Sequence, residues 1–241
     1  MSRDRIFAVA GVEAGSFEFN DAVADVFPDM LERSIPGYAA TIQAIGALAS
    51  RYVRPGTRCY DLGCSLGSAT LAMRQNIAVP ECEIIAIDLA PAMITRCHEI
   101  IADDDSDVQV SIIEGDVRQT IIEQASMVVM NYTLQFLSVG ERDAMIGKIY
   151  DGLIDCGIFL LSEKVIDEDD RVEALLVQMH HDFKRQNAYS DLEISRKRTA
   201  LENILIPESI ATHRARLSRS GFRHSGVLLR HFNFVSIIAV K

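Results

Sequence analysis

A chain of 241 residues, 49% apolar and 24% charged, is long enough to bury a core without disulfides or a structural metal, which excludes a disordered or a small stapled protein. Its formal net charge of −10 excludes a broad nucleic-acid surface, because affinity for a phosphate backbone is carried by Lys and Arg. A local basic pocket for a small anion stays compatible with that balance.

Residues 20–32 are spaced as an amphipathic helix, with Val23, Val26, Phe27 and Met30 on one side. The stretch Arg33-Ser34-Ile35-Pro36-Gly37-Tyr38 breaks it, and a second helix runs from Tyr38 to Tyr52 with Ile42, Ile45, Leu48 and Ala49 as its apolar face. Strands and helices then alternate: strand Arg58–Leu62, helix Ser68–Ile77, strand Glu83–Ile87, helix Pro91–Ile101, and strands Val108–Ile113 and Met127–Met130. Helix Glu141–Leu153 and strand Ile158–Leu161 complete the rhythm. Residues 167–203 interrupt it with a charged segment of helical spacing. A helix near Ser209–Ser220 leads to strands Gly226–His231 and Phe234–Val240, close enough to form a hairpin.

This order predicts an α/β fold, doubly wound, with a mostly parallel seven-stranded sheet whose last strand is antiparallel. One domain spans 1–241, with an N-terminal helical cap at 17–52 and a helical insertion at 167–203. The five cysteines (Cys59, Cys64, Cys82, Cys97, Cys156) are odd in number and contain no CxxC, so reduced thiols and no metal are expected. No apolar run approaches ~20 residues, so no membrane span is expected. Met1-Ser2-Arg3-Asp4-Arg5 does not open a signal peptide, and a cytoplasmic location follows.

The strongest motif is Cys59-Tyr60-Asp61-Leu62-Gly63-Cys64-Ser65-Leu66-Gly67, which leaves a strand and enters a helix. Gly63 and Gly67 permit a sharp turn and a ligand against the backbone. Asp88 ends the next strand, 21 residues after Gly67, where a doubly wound fold places a carboxylate on a ribose. Asp116, in Asp116-Val117, follows the third strand and suits an adenine amino group. The loop also reads G-x-S-x-G, a hydrolase elbow with Ser65 as nucleophile. Its place after the first strand, the lack of an HGGG-type motif, and Asp61 and Asp88 favour a nucleoside loop instead. Asp61 ahead of the first glycine and no basic residue in the turn suit a ligand with an ammonium and a sulfonium rather than phosphates. Asn131, in Met130-Asn131-Tyr132-Thr133, ends the fourth strand, where the reacting end would lie.

This set resembles the class I S-adenosylmethionine-dependent methyltransferases. Further blocks narrow the resemblance: Val26-Phe27-Pro28-Asp29-Met30, Arg33 to Tyr38, the loop 61–67, Ala125 to Leu137, Leu161-Ser162-Glu163-Lys164, and above all 180–203. Over nearly its whole length the chain is similar to the carboxy-S-adenosyl-L-methionine synthases. That resemblance implies transfer of a carboxyl group from prephenate to the methyl carbon of S-adenosyl-L-methionine, with phenylpyruvate as by-product. Loss of carbon dioxide aromatises the prephenate ring, the base released takes a methyl proton, and the carbanion captures the carbon dioxide. It implies a homodimer without direct tRNA binding, whose product passes to a separate transferase that forms 5-oxyacetyluridine at the tRNA wobble position. It also implies cofactor contacts from Tyr38, Gly63, Cys64, Ser65, Asp88, Leu89, Asp116, Val117, Asn131 and Arg198. Tyr38 and Arg198 come from the resemblance alone, with Arg198 holding the added carboxylate and counted as catalytic. Leu89 stands where the family commonly has Asn, Ala188 where it has Gly, and Leu228-Leu229-Arg230-His231 where an aromatic residue is usual.

Other residues carry simpler expectations. His180 and His181 point about 100° apart on a helix and do not share a metal readily, so one of them packs and hydrogen-bonds. Cys64 has no basic neighbour in sequence to make it a nucleophile. Arg196 and Lys197 are expected at the surface or an interface, Lys184 and Arg185 are candidates for a prephenate carboxylate, and Glu163 is a candidate for the mouth of the site, with a helix cap or a surface pair as equal alternatives. Two rival functions remain: a conventional small-molecule methyltransferase and an S-adenosylmethionine-binding sensor or partner subunit.

Overall fold

A computed structural model describes residues 3–8, 17–202 and 204–241. The start at Met1-Ser2 and the end of the insertion at Asn203 therefore lie outside the described residues. In chain order the elements are α1 (Asp21–Ser34), α2 (Tyr38–Tyr52), β1 (Arg58–Leu62), α3 (Ser68–Asn76), β2 (Glu83–Asp88), α4 (Pro91–Ala102), β3 (Gln109–Glu114) and β4 (Ala125–Asn131). They continue with α5 (Val139–Gly152), β5 (Leu153–Ile166), α6 (Asp170–Gln186), α7 (Asp191–Leu201), β6 (Glu208–Ser209), α8 (Ile210–Arg219), β7 (His224–His231) and β8 (Phe234–Val240).

The sheet order is β3-β2-β1-β4-β5-β8-β7. Strands β1 to β5 pair in parallel, and β8 runs antiparallel to both β5 and β7. The seven expected strands are thus present with the last one reversed, and the two-residue β6 adds a parallel bridge to the end of β5. The order reverses between β1 and β4, which opens a crevice at their carboxyl ends.

Central strands are buried on both faces, so they read as continuous apolar runs. Tyr60, Leu62, Val128, Met130, Phe159 and Leu161 face α5 and α8, whereas Cys59, Met127, Val129, Ile158 and Leu160 face α2 and α3. The alternation is the period of two expected of a strand. Helix α1 lays Val23, Val26, Phe27 and Met30 on Leu66 and Met93, so the cap covers the first loop and α4. All five cysteines are free thiols. Among the described residues no helix is long and apolar enough to cross a membrane.

The largest change in extent is β5, which runs to Ile166 rather than stopping at Leu161. It lies between β4 and β8, and pairing with β8 carries it through Glu163 and Lys164.

The insertion forms two helices. Asp169 caps α6 by accepting from Arg171 N and Val172 N, and Ser190 with Glu193 closes a capping box on α7. Between them Ala188 adopts φ +61°. Tyr189 N donates to Lys184 O at 3.0 Å, which is the six-to-one bond of a Schellman turn. Glycine is the residue that takes this conformation without a Cβ clash. Ala188→Gly is expected to stabilise the protein by about 1 kcal/mol after the extra chain entropy of glycine is offset, raising Tm by about 2–4 °C in differential scanning calorimetry. An unchanged or lower Tm would show that the turn is not strained.

Candidate active site

The crevice at the strand ends holds a cavity of about 1170 Å³. Its floor is the turn after β1 and the ends of β2 and β4, and its roof is formed by residues 17–20, α6 and α7. Phe17 N donates to Ala200 O at 3.4 Å, and the Phe19 ring meets Phe136 edge-on at 5.6 Å, so the amino-terminal segment is fixed across the opening.

The turn needs its glycines. Gly63 has φ +86°, and a Cβ there would lie 2.3 Å from Thr133 Oγ1. Gly67, at φ +82°, would place one 2.7 Å from Cys97 Sγ. Ser65 turns left-handed as well, at φ +51°, which aims its N–H at Asp88 Oδ2 over 2.8 Å. Asp88 Oδ1 accepts from Ala90 N at 2.9 Å, and burial raises the carboxyl's pKa despite both bonds. Leu89 is 67% exposed at the rim beside it.

Asp61 is buried. Its Oδ2 accepts from Thr70 Oγ1 at 2.7 Å, while Oδ1 lacks a partner. Burial pushes this carboxyl up to about 6. Asn131 also lines the cavity with a buried, unpartnered Oδ1. Tyr38 is half-buried beside Ser68, and burial raises its pKa to about 12. Its ring lies 6.5 Å from that of Tyr132, a residue the sequence reading did not single out. Tyr132 sits at φ +63°, and burial raises its hydroxyl's pKa well above the usual value.

Asp116 and Val117 reach the far end of the cavity. Arg118 grips the Asp116 carboxylate through Nε at 2.9 Å and Nη2 at 2.6 Å, holding its pKa low. A ligand amino group meeting Asp116 would therefore share it with Arg118.

Ser65 Oγ faces Met93 Sδ at 3.5 Å and has no histidine partner, so the hydrolase reading lacks its base. The Cys64 thiol donates to Ser65 O at 3.8 Å, and the neighbouring Cys97 thiol together with burial raises its pKa well above the usual thiol value. It stays protonated and is no nucleophile.

The opposite end of the cavity is cationic. Lys164 from β5, Lys184 from α6, and Lys197 and Arg198 from α7 all line it. Lys197 corrects the sequence reading: it is 8% exposed rather than superficial, and its Nζ donates to Ser34 Oγ at 3.0 Å. Arg185 is corrected too, because it points to solvent and pairs with Asp182 and Asp191. Glu163 does not reach the mouth. It is wholly buried within β5, both oxygens unpartnered, and burial raises its pKa well above the usual carboxylate value. His180 packs as expected, with Nε2–H donating to Ser34 O at 2.9 Å and its ring edge-on to Phe234 at 4.8 Å. Burial lowers its pKa to about 2, so it is neutral.

The cavity thus combines two buried acceptors without partners, Asp61 Oδ1 and Asn131 Oδ1, with a group of cations in which Lys164 and Lys184 make no hydrogen bond or ion pair among the described residues. It suits a ligand with an ammonium and a nucleoside beside a second, anionic molecule.

The methyltransferase domain family matches residues 60–157. Carboxy-S-adenosyl-L-methionine synthases of Escherichia coli O1:K1 and O157:H7 are each 53% identical over 239 residues, covering 99% of this chain and 97% of theirs. Human N-acetylserotonin methyltransferase, solved with S-adenosylmethionine, superposes with a TM-score of 0.62 at 17% identity; the match covers 99% of this chain but 63% of that one. Magnesium protoporphyrin IX methyltransferase from Synechocystis gives a TM-score of 0.61 at 16% identity, covering 88% and 87%. These structures share the fold.

Proposed function

The chain belongs to the carboxy-S-adenosyl-L-methionine synthases, and from that premise we propose that it moves a carboxyl group from prephenate to the methyl carbon of S-adenosyl-L-methionine. The products are carboxy-S-adenosyl-L-methionine, phenylpyruvate and water. The ring carboxylate of prephenate leaves as carbon dioxide, the ring expels hydroxide as it aromatises, hydroxide takes a methyl proton, and the methyl carbon bonds the carbon dioxide.

The observation that carries this reading is one cavity lined both by unpartnered acceptors and by a group of cations. S-adenosyl-L-methionine fits beside the cations: Asp61 Oδ1 and Asn131 Oδ1 are buried acceptors without partners. Tyr38, the turn Gly63-Cys64-Ser65, Asp88 with Leu89, and Asp116 with Val117 would complete its binding. Arg198 would hold the new carboxylate, since a guanidinium offers two parallel hydrogen bonds. The remaining tasks are positioning and water exclusion, which the fixed segment at Phe17–Asn20 and helices α6 and α7 serve. A conventional methyltransferase would share the unpartnered acceptors and leave the cations without a purpose.

We further propose a cytoplasmic homodimer that binds no tRNA and passes its product to a separate tRNA-modifying transferase forming 5-oxyacetyluridine. The net charge of −10 supports the absence of a tRNA surface. Free thiols support the compartment. Exposed Val172, Leu175 and Met179, spaced along one side of α6, support a self-contact.

The test is mass spectrometry of small molecules released from denatured protein, before and after incubation with prephenate. A species heavier than S-adenosyl-L-methionine by one carbon dioxide is expected. Unmodified S-adenosyl-L-methionine alone, after prephenate, would return the protein to the conventional methyltransferases.

A further inference from the structure

The cationic end holds more positive charge than one carboxylate needs. Its members differ in how they are held. Lys197 is anchored, with Nζ on Ser34 Oγ and 5.7 Å from the Tyr189 ring. Arg198 is the guanidinium already assigned to the transferred group. Lys164 and Lys184 are different: among the described residues no hydrogen bond or ion pair engages either ammonium. The acid nearest in effect is Glu173, which acts on Lys164 and already accepts from Asp167 N at 2.8 Å. Burial, with Lys197 and Lys164 alongside, lowers the Lys184 pKa to about 7. Two half-buried ammoniums from different elements are thus brought together without a counterion, which is unfavourable unless an anion joins them. His180 beside them is neutral and committed to Ser34, so it supplies a wall rather than a charge.

We propose that Lys164 and Lys184 form a second anion subsite, which holds the pyruvyl carboxylate of prephenate and leaves Arg198 for the carboxylate that moves. This rests on the prephenate reading above. The chemistry separates the two roles. The ring carboxylate becomes neutral carbon dioxide, so cations gripping it tightly in the ground state would raise the barrier to its departure. The pyruvyl carboxylate keeps its charge from substrate to phenylpyruvate. Strong binding there orients the ring without opposing the reaction.

Phenylpyruvate is the sharpest probe, because it retains only this carboxylate. Lys164→Met and Lys184→Met would each be assayed by calorimetry of phenylpyruvate and of prephenate on protein loaded with S-adenosylhomocysteine, alongside initial rates against prephenate. Each variant is expected to weaken both anions and raise KM for prephenate by about tenfold or more. Affinity for S-adenosylhomocysteine should stay unchanged, and Lys164→Arg should restore most of the loss. Removing a buried unpaired charge should not lower Tm, which separates the effect from misfolding. Unchanged phenylpyruvate affinity in both variants would overturn the subsite. So would a loss confined to S-adenosylhomocysteine, which would assign the lysines to the methionine carboxylate. Wild-type protein that binds phenylpyruvate through these lysines yet makes no carboxylated product would refute the proposed reaction and keep the subsite.

Discussion

Arg198→Met is expected to cut formation of carboxy-S-adenosyl-L-methionine by roughly a hundredfold or more, the range seen when one partner of a desolvated charge pair is removed. The loss should be selective. The carboxylate that Arg198 would meet exists on the product and develops in the transition state, but is absent from S-adenosyl-L-methionine. Affinity for the product should fall by about the same factor, while affinity for S-adenosyl-L-methionine should change by no more than about threefold. Arg198 is exposed on α7 and lines the cavity rather than being buried in it. Its value therefore depends on a ligand that covers it, since an exposed pair contributes little. Arg198→Lys keeps the charge and loses the paired donors, so it should fall between wild type and Arg198→Met. Calorimetry with both ligands decides the matter. Equal losses for the two would mean that Arg198 shapes the site without recognising the carboxylate.

The floor of this site was legible in the sequence because it depends on local rules. An acid after each of three strands and two glycines at a turn are positions with one backbone solution, and the structure sets Asp61, Asp88 and Asp116 around one crevice. The roof was harder. Helix α7 buries Ile194, Lys197 and Ala200, so its inward stripe runs through a lysine. No apolar periodicity marks which side faces in, and Lys197 was read as superficial. Glu163 failed for another reason. Ser162-Glu163-Lys164 looks like the end of a strand, but β8 supplies partners from Lys164 back to Ile158 and draws the carboxyl inside. That pairing joins residues far apart in sequence. Tyr132 gave no signal because its left-handed turn is imposed by Tyr132 N donating to Ser162 O at 2.8 Å, again a long-range contact. Position 188 shows the converse. Ala188 stands where the resembled family has Gly, and its φ of +61° gives the physical reason for a glycine there.

Asp61→Asn should trade binding for stability. In the free protein burial raises this carboxyl from 3.8 to about 6. The native state therefore binds its proton more tightly than the unfolded chain. As pH rises from about 4 to about 6 the unfolded carboxyl ionises first, and stability is lost across that window, then stays level. A shift of this size corresponds to about 3 kcal/mol at neutral pH. Asparagine cannot ionise, but it places an amide where Oδ1 lacks a partner, so a net gain of about 1–2 kcal/mol is expected. Free Asp61→Asn should melt higher than wild type at pH 7.5 and much like it at pH 4. Binding should move the other way. S-adenosylhomocysteine carries the ammonium without the sulfonium, so it reads this contact alone. Its affinity for the variant should drop by about ten- to a hundredfold. In wild type, affinity should rise with pH up to about 6 as Asp61 ionises, and the variant should show no such rise. A variant that binds S-adenosylhomocysteine as tightly as wild type, with the same pH profile, would remove Asp61 from the ammonium site and leave its unpartnered oxygen as a purely structural cost.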